Sequence, residues 1–105
     1  MKSIKCKNYL ILELNESSNL ELLLKFLSKN SKHCPNIIID ILNFKINEQQ
    51  FIKAIFPFHL NWEKRNKSFI LVSNIRKNIL NGLISISSLE ESIDFFHMEE
   101  LTRNI

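Results

Sequence analysis

Glycine is nearly absent from this chain: among 105 residues it occurs once, at Gly82. Phosphate-binding loops of the GxxxxGKS and GxGxxG kinds need at least two glycines, because their backbones must turn tightly around the phosphate groups. The sequence therefore excludes both kinds of loop.

Cysteine and long apolar runs are also scarce. Cys6 and Cys34 permit one disulfide at most. Residues 1–7 are polar and basic, and no long apolar run follows them, which predicts that the chain has no signal peptide. No apolar run approaches the roughly 20 residues that span a bilayer. We therefore expect a cytoplasmic protein whose two thiols stay free.

The composition that remains is that of a folded protein. With 45% hydrophobic and 24% charged residues, the chain can bury a core of its own, and 105 residues suffice for one domain over 1–105. The net charge is +3, but residues 88–105 carry five carboxylates against Arg103 alone, about −4. The rest of the chain is therefore near +7. Such a mild surplus could favour nucleic acid or an acidic partner surface, but it falls short of the charge balance of a dedicated nucleic-acid binder.

Short apolar segments alternate with amphipathic ones along the chain. Near-continuous isoleucine over residues 36–42 is typical of a strand buried on both faces, as in parallel sheets. Residues 68–73 repeat that pattern. The alternation predicts an α/β fold, with a mostly parallel mixed sheet of about four to five strands flanked by helices. We expect strands at 8–14, 36–42, 68–73 and 83–86, and helices at 20–29, from 47 on, at 75–80 and from 88 on.

Polar residues mark the expected helix starts. Ser18 stands three residues before Glu21, and Ser88 three before Glu91, which are capping-box spacings. Asn47 is a plausible N-cap, followed by Glu48 at the positive end of its helix. Pro57 lies inside that helix, and we expect it to kink or split the helix before Trp62.

No residue constellation indicates catalysis or a metal site. His59/Glu63, Asp94/His97 and His33/Cys34 each offer at most two ligands, whereas zinc needs three or four. His33 and Cys34 are also the only nucleophile and base of note, and adjacent loop residues before a proline rarely align for that chemistry. We expect no enzyme activity, cofactor or metal.

Basic residues bracket the strand at 68–73, with Trp62 close by. Such residues beside an aromatic ring could hold a single strand of nucleic acid. An ordinary solvated rim is the favoured interpretation. The basic residues are Lys64, Arg65, Lys67, Arg76 and Lys77.

Three segments together resemble the STAS domain, the fold of bacterial anti-sigma-factor antagonists, above all the small STAS proteins of Bacteroidetes. Residues 36–44 are similar to the family's strand before its switch loop, and residues 68–72 to its next strand. Residues 88–101 are similar to its closing helix, where an acidic start runs into a Met-Glu-Glu-hydrophobic end. The resemblance implies a non-enzymatic protein–protein interaction domain.

The chain departs from the family at the switch loop. The family's loop normally reads Asp-Ser-Ser-Gly-Leu and carries the Ser or Thr that an anti-sigma kinase phosphorylates. The corresponding residues here are Asn47, Glu48, Gln49, Gln50 and Phe51, and no hydroxyl residue occurs between Ser31 and Ser68. The helix between the last two strands is also shorter than the family's.

The resemblance therefore implies a regulator similar to an anti-sigma-factor antagonist but without the phosphoswitch. Its partner-binding residues would be Asn47, Glu48, Gln49 and Gln50, and its partner a kinase-like anti-sigma factor. Glu48 could imitate a permanent phosphate, although a helix-capping role is favoured. An accessory subunit of an ABC-type lipid transporter, bound to its ATPase, is one alternative. A small nucleic-acid-binding module that uses the basic rim is the other.

Overall fold

The structure, a computed structural model, describes residues 1–104. It contains one five-stranded sheet and four helices. The strands are β1 (Lys2–Lys5), β2 (Leu10–Glu13), β3 (Ile37–Asp40), β4 (Phe69–Val72) and β5 (Ile84–Ile86). The helices are α1 (Leu20–Lys29), α2 (Glu48–Lys64), α3 (Lys77–Leu80) and α4 (Leu89–Arg103).

The strands lie side by side in their sequence order, from β1 to β5. β2 to β5 are parallel, and β3 pairs with β4 from Ile37 opposite Phe69 to Asp40 opposite Val72. Both central strands are fully buried apart from Asp40. The α/β class and the central position of the two apolar strands are thus confirmed.

Successive side chains along each strand point to opposite faces of the sheet and so form two separate hydrophobic cores. Ile37, Ile39 and Leu71 face α1, α2 and α3, which cover one side of the sheet. Ile38 and Ile70 face the other side, where α4 packs. The sheet is therefore the middle layer of three.

β1 was not expected, because Lys2–Lys5 alternates basic and polar residues around a single isoleucine. It runs antiparallel to β2 at the edge of the sheet. Half-buried Ile4 is its contribution to the second core, and its exposed lysines keep this edge polar. Exposed lysines discourage the pairing of a free edge with another chain.

The predicted helix starts are confirmed at two places and wrong at one. Asn47 and Ser88 each accept a hydrogen bond from a backbone N–H three residues on, at Gln50 and Glu91. Ser18 is not the cap of α1; Asn19 takes that role and accepts from the N–H of Leu22 at 2.8 Å. Ser18 instead donates and accepts within the preceding turn, to and from Asn15.

The expected split at Pro57 is also wrong: α2 runs as one continuous helix of 17 residues. Proline removes one N–H and so leaves the carbonyl of Lys53 without its helical partner. Pro57 lies on the exposed side of α2, where water can solvate that carbonyl. Buried residues on both sides of it, among them Ile55 and Trp62, hold the helix to the sheet.

Candidate partner-binding site

The start of α2 lies beyond the carboxyl ends of the parallel strands. Asn47 caps the helix, with its Oδ1 3.0 Å from the Gln50 N–H that it accepts, and its carbonyl accepts from Phe51. This cap satisfies one of the orphan donors of the first turn and leaves the N–H groups of Glu48 and Gln49 without helical partners. Those two donors, together with the helix dipole, give the turn a directional positive end.

The side chains of this turn range from exposed to fully buried. Asn47, Gln49 and Gln50 are exposed, and Glu48 is half-buried. Phe51 is fully buried and meets the ring of Phe44 edge-on, with centroids 6.5 Å apart. Phe51 is therefore a core residue, which fixes the turn rigidly to the sheet, rather than an exposed anchor.

Two open clefts flank the turn. One, of about 490 Å³, lies between the loop after β3 and residues 73–75 after β4; the other, of about 330 Å³, reaches the start of α1 at Ser18 and Asn19. Phe44, Lys45 and Ile46 line both clefts. The turn therefore lies between two clefts that combine apolar surface with the positive charge of Lys45.

The candidate nucleophile Cys34 is in an environment that makes its thiol unreactive. Its thiol is buried and donates to the carbonyl of Ser31 at 3.1 Å, and both Cys34 and Cys6 are free thiols. Burial raises the pKa of Cys34, although Arg65 and Lys67 oppose that shift. The group therefore stays protonated at neutral pH, and exposed His33 does not serve it as a base.

The candidate metal ligands do not converge. His59 and Glu63 contact each other at 3.3 Å. Among residues 1–104 no group of three or more His, Cys, Asp or Glu side chains could hold a metal ion.

The basic rim is split by the fold. Arg65 and Lys67 precede β4, whereas Arg76 and Lys77 follow it, so the two pairs lie at opposite ends of this strand. Trp62 is fully buried, and its Nε1 donates to the carbonyl of Pro35 at 2.6 Å. It therefore cannot stack on a base, which removes the aromatic part of a single-strand site.

A polar cluster lies at the amino-terminal ends of the parallel strands, away from the start of α2. No sequence pattern predicted it. Ser68 donates to Glu99 at 2.7 Å and accepts from Arg103 at 2.6 Å, while its N–H donates to Asn36 at 2.8 Å. Arg103 also lies 3.7 Å from Glu99. Ser68, Glu99 and Arg103 line an open cleft of about 550 Å³. The contacts that join Ser68 and Asn36 to α4 span 31 to 67 residues of sequence, so only the fold brings these groups together.

None of the helices over residues 1–104 is long and apolar enough to cross a membrane.

Comparison with solved structures identifies the fold. The chain is similar to a structure published as "Molecular architecture of the stressosome, a signal integration and transduction hub", with a TM-score of 0.64 and 15% identity. The match covers 97% of this chain and 99% of the other. The chain therefore has a STAS-like fold. No family model and no curated protein matches it.

Proposed function

We propose that this chain is a non-enzymatic protein–protein interaction domain, a regulator similar to anti-sigma-factor antagonists, whose partner surface is Asn47–Gln50. The observation that supports this proposal is the exposed, capped start of α2, fixed by buried Phe51 and flanked by two clefts. A STAS-like fold from end to end is consistent with it.

Docking would use groups that the turn already holds in place. The unpaired N–H groups of Glu48 and Gln49 offer hydrogen bonds to a partner's carbonyl or carboxylate oxygens. Exposed Gln49 and Gln50 can both donate and accept, and the clefts would receive apolar side chains. Little reorganisation is needed, because Asn47 and Phe51 fix the backbone.

The interaction would not be switched by phosphorylation at this turn. Residues 47–51 contain only Asn, Glu, Gln and Phe, which offer no acceptor hydroxyl. Incubation with an anti-sigma kinase and ATP therefore leaves these residues unmodified by mass spectrometry. Glu48 supplies a permanent negative charge, smaller than the −1.5 to −2 of a phosphate.

The test is a pair of charge changes on the exposed turn, Gln49→Arg with Gln50→Glu. The partner is first identified by capture from native lysate as a kinase-like anti-sigma factor or another protein, and its affinity is then measured with purified components. We expect the double variant to bind at least about tenfold more weakly at an unchanged melting temperature, as at a central interface position.

A matched control places the same two charges elsewhere. Ser3→Glu with Ser28→Arg changes exposed residues on β1 and α1 and leaves the net charge unaltered in the same way. It should bind like the unchanged protein. Equal affinities for the turn variant and the control would show that the partner docks on another surface.

A further inference from the structure

Helix α2 carries a basic and apolar stripe on its outer side. Lys53, Pro57 and Leu60 follow one another at the i, i+4 and i+7 positions, which share one helix face. All three are exposed, and Leu60 keeps 49% of its surface accessible to solvent. We call these three residues the α2 stripe.

An open groove of about 400 Å³ runs beside the α2 stripe, between α2 and α3. Ile52, Phe56 and Ile79 give it an apolar lining, and Lys53 and Pro57 belong to its wall. Neither residues 49–62 nor residues 76–82 include an acidic residue. Exposed Arg76 and Lys77 add further positive charge at the start of α3.

Helix α4 carries the opposite surface. Asp94, Met98 and Leu101 also stand at i, i+4 and i+7, on the side of α4 that faces away from the sheet. Met98 and Leu101 are 66% and 69% accessible, the most exposed large hydrophobic residues in the described chain. Exposed Glu90 and Glu91 precede them. We call Asp94, Met98 and Leu101 the α4 stripe.

The two stripes match position by position. With the helices side by side and parallel, Lys53 faces Asp94, Pro57 faces Met98, and Leu60 faces Leu101. Such an arrangement would bury the exposed apolar residues and pair the charges across the interface. Glu90 and Glu91 add negative charge next to the α4 stripe. Arg76 and Lys77 add positive charge next to the α2 stripe.

We propose that a second copy of this chain is the occupant: α4 of one molecule packs along the α2 stripe and its groove on the next. The contact is head-to-tail, because α2 and α4 cover opposite faces of the same sheet. The α2 stripe and the α4 stripe of one molecule therefore cannot both contact the same second molecule. Such a contact continues into a chain or a ring of copies rather than stopping at a two-fold dimer.

This self-association goes beyond the proposed partner docking at Asn47–Gln50, and it is tested with the purified chain alone. In sedimentation velocity, the average mass should rise past that of a dimer as the protein concentration rises. Association should weaken from 0.05 to 1 M salt, since salt screens the Lys53–Asp94 pairing. A chain that stays monomeric at every concentration at low salt overturns the proposal.

Single substitutions test each stripe separately. Met98→Asp puts a charge into the α4 stripe, and Lys53→Glu reverses the charge of the α2 stripe. Each should weaken self-association at least about tenfold. Ser28→Asp, which adds the same charge as Met98→Asp to exposed α1, should associate like the unchanged protein. Normal association of either stripe variant contradicts the proposed surface.

Mixing the two variants tests the head-to-tail geometry. The Lys53→Glu chain keeps an intact α4 stripe, and the Met98→Asp chain keeps an intact α2 stripe. An equimolar mixture should therefore form a complex of one chain of each kind and grow no further. A mixture that stays monomeric, although the unchanged protein associates, rules out pairing between α2 and α4. The double exchange Lys53→Glu with Asp94→Lys should restore association in a single chain.

Discussion

At the residue scale, His59 is a polar side chain in an apolar setting. It is 8% accessible, and its ring lies 5.9 Å from the rings of both Phe56 and Phe69. Its Nε2 contacts the Glu63 carboxylate at 3.3 Å, whereas its buried Nδ1 has no hydrogen-bond partner. A neutral ring that donates from Nε2 fits this setting, because a bare lone pair on Nδ1 costs less than a buried unpaired N–H.

Burial lowers the pKa of folded His59 below its ordinary 6.5, and Glu63 offsets only part of that shift. The unfolded chain therefore binds the proton more readily than the folded chain. The resulting stability is complete above pH 6.5 and is lost as the pH falls from there through the lowered pKa. We expect the free energy of unfolding, measured in urea, to fall less between pH 7.5 and 5.5 in His59→Gln than in the unchanged protein.

Two further results would bear on this prediction. The exposed substitution Leu22→Ala changes no titratable group and should keep the pH dependence of the unchanged protein. If His59→Gln shows that same dependence as well, the buried ring is not the group that titrates in this range.

At the scale of elements, α2 shows how packing overrides local preference. Proline inside a helix costs roughly 3 kcal/mol relative to alanine when nothing compensates for it. Here Phe51, Ile55 and Trp62 are fully buried and hold α2 against the sheet on both sides of the proline. The missing hydrogen bond at Lys53 is tolerated because Lys53 and Pro57 both lie on the exposed side of α2.

Pro57→Ala should therefore stabilise the protein. Alanine restores the N–H that bonds to the carbonyl of Lys53, while the greater freedom of the unfolded chain removes about 0.4–1 kcal/mol of that gain. We expect the free energy of unfolding to rise by about 1–2 kcal/mol in dilute protein. The exposed substitution Lys25→Ala on α1 is the control, with a change within about 0.5 kcal/mol. A destabilised Pro57→Ala would mean that the proline ring itself packs favourably.

These elements also show where sequence is sufficient. Ile37–Asp40 and Phe69–Val72 were predictable because strands buried on both faces read as continuous apolar runs. Lys2–Lys5 was not, since a short edge strand gains its order from β2 and carries almost no apolar signal. At the candidate site, the Asn47 cap is local and was predictable. The Ser68–Glu99–Arg103 cluster depends on contacts across 31 or more residues and was not.

At the scale of the whole molecule, the two faces of the sheet are covered very unequally. Three helices share one face, but α4 alone covers the other, where it packs on β3, β4 and β5. Arg103 and Glu99 tie the end of α4 to Ser68 at the start of β4. The second core therefore depends on a single helix that is fixed along its length by packing and at its end by hydrogen bonds.

Phe96 is the residue on which this arrangement depends most. It is fully buried at the centre of α4, and its ring lies 4.9 Å from that of Tyr9, beside Ile38 and Ile70. Phe96→Ala would leave a cavity that no second helix can close, so we expect the free energy of unfolding to fall by about 3–5 kcal/mol. Phe96→Leu should lose less, because it keeps most of the volume. The exposed Leu22→Ala should change stability by no more than about 0.5 kcal/mol. Denaturant unfolding measures all three, and a loss in Phe96→Ala as small as that in Leu22→Ala would mean that α4 is not part of the cooperative fold.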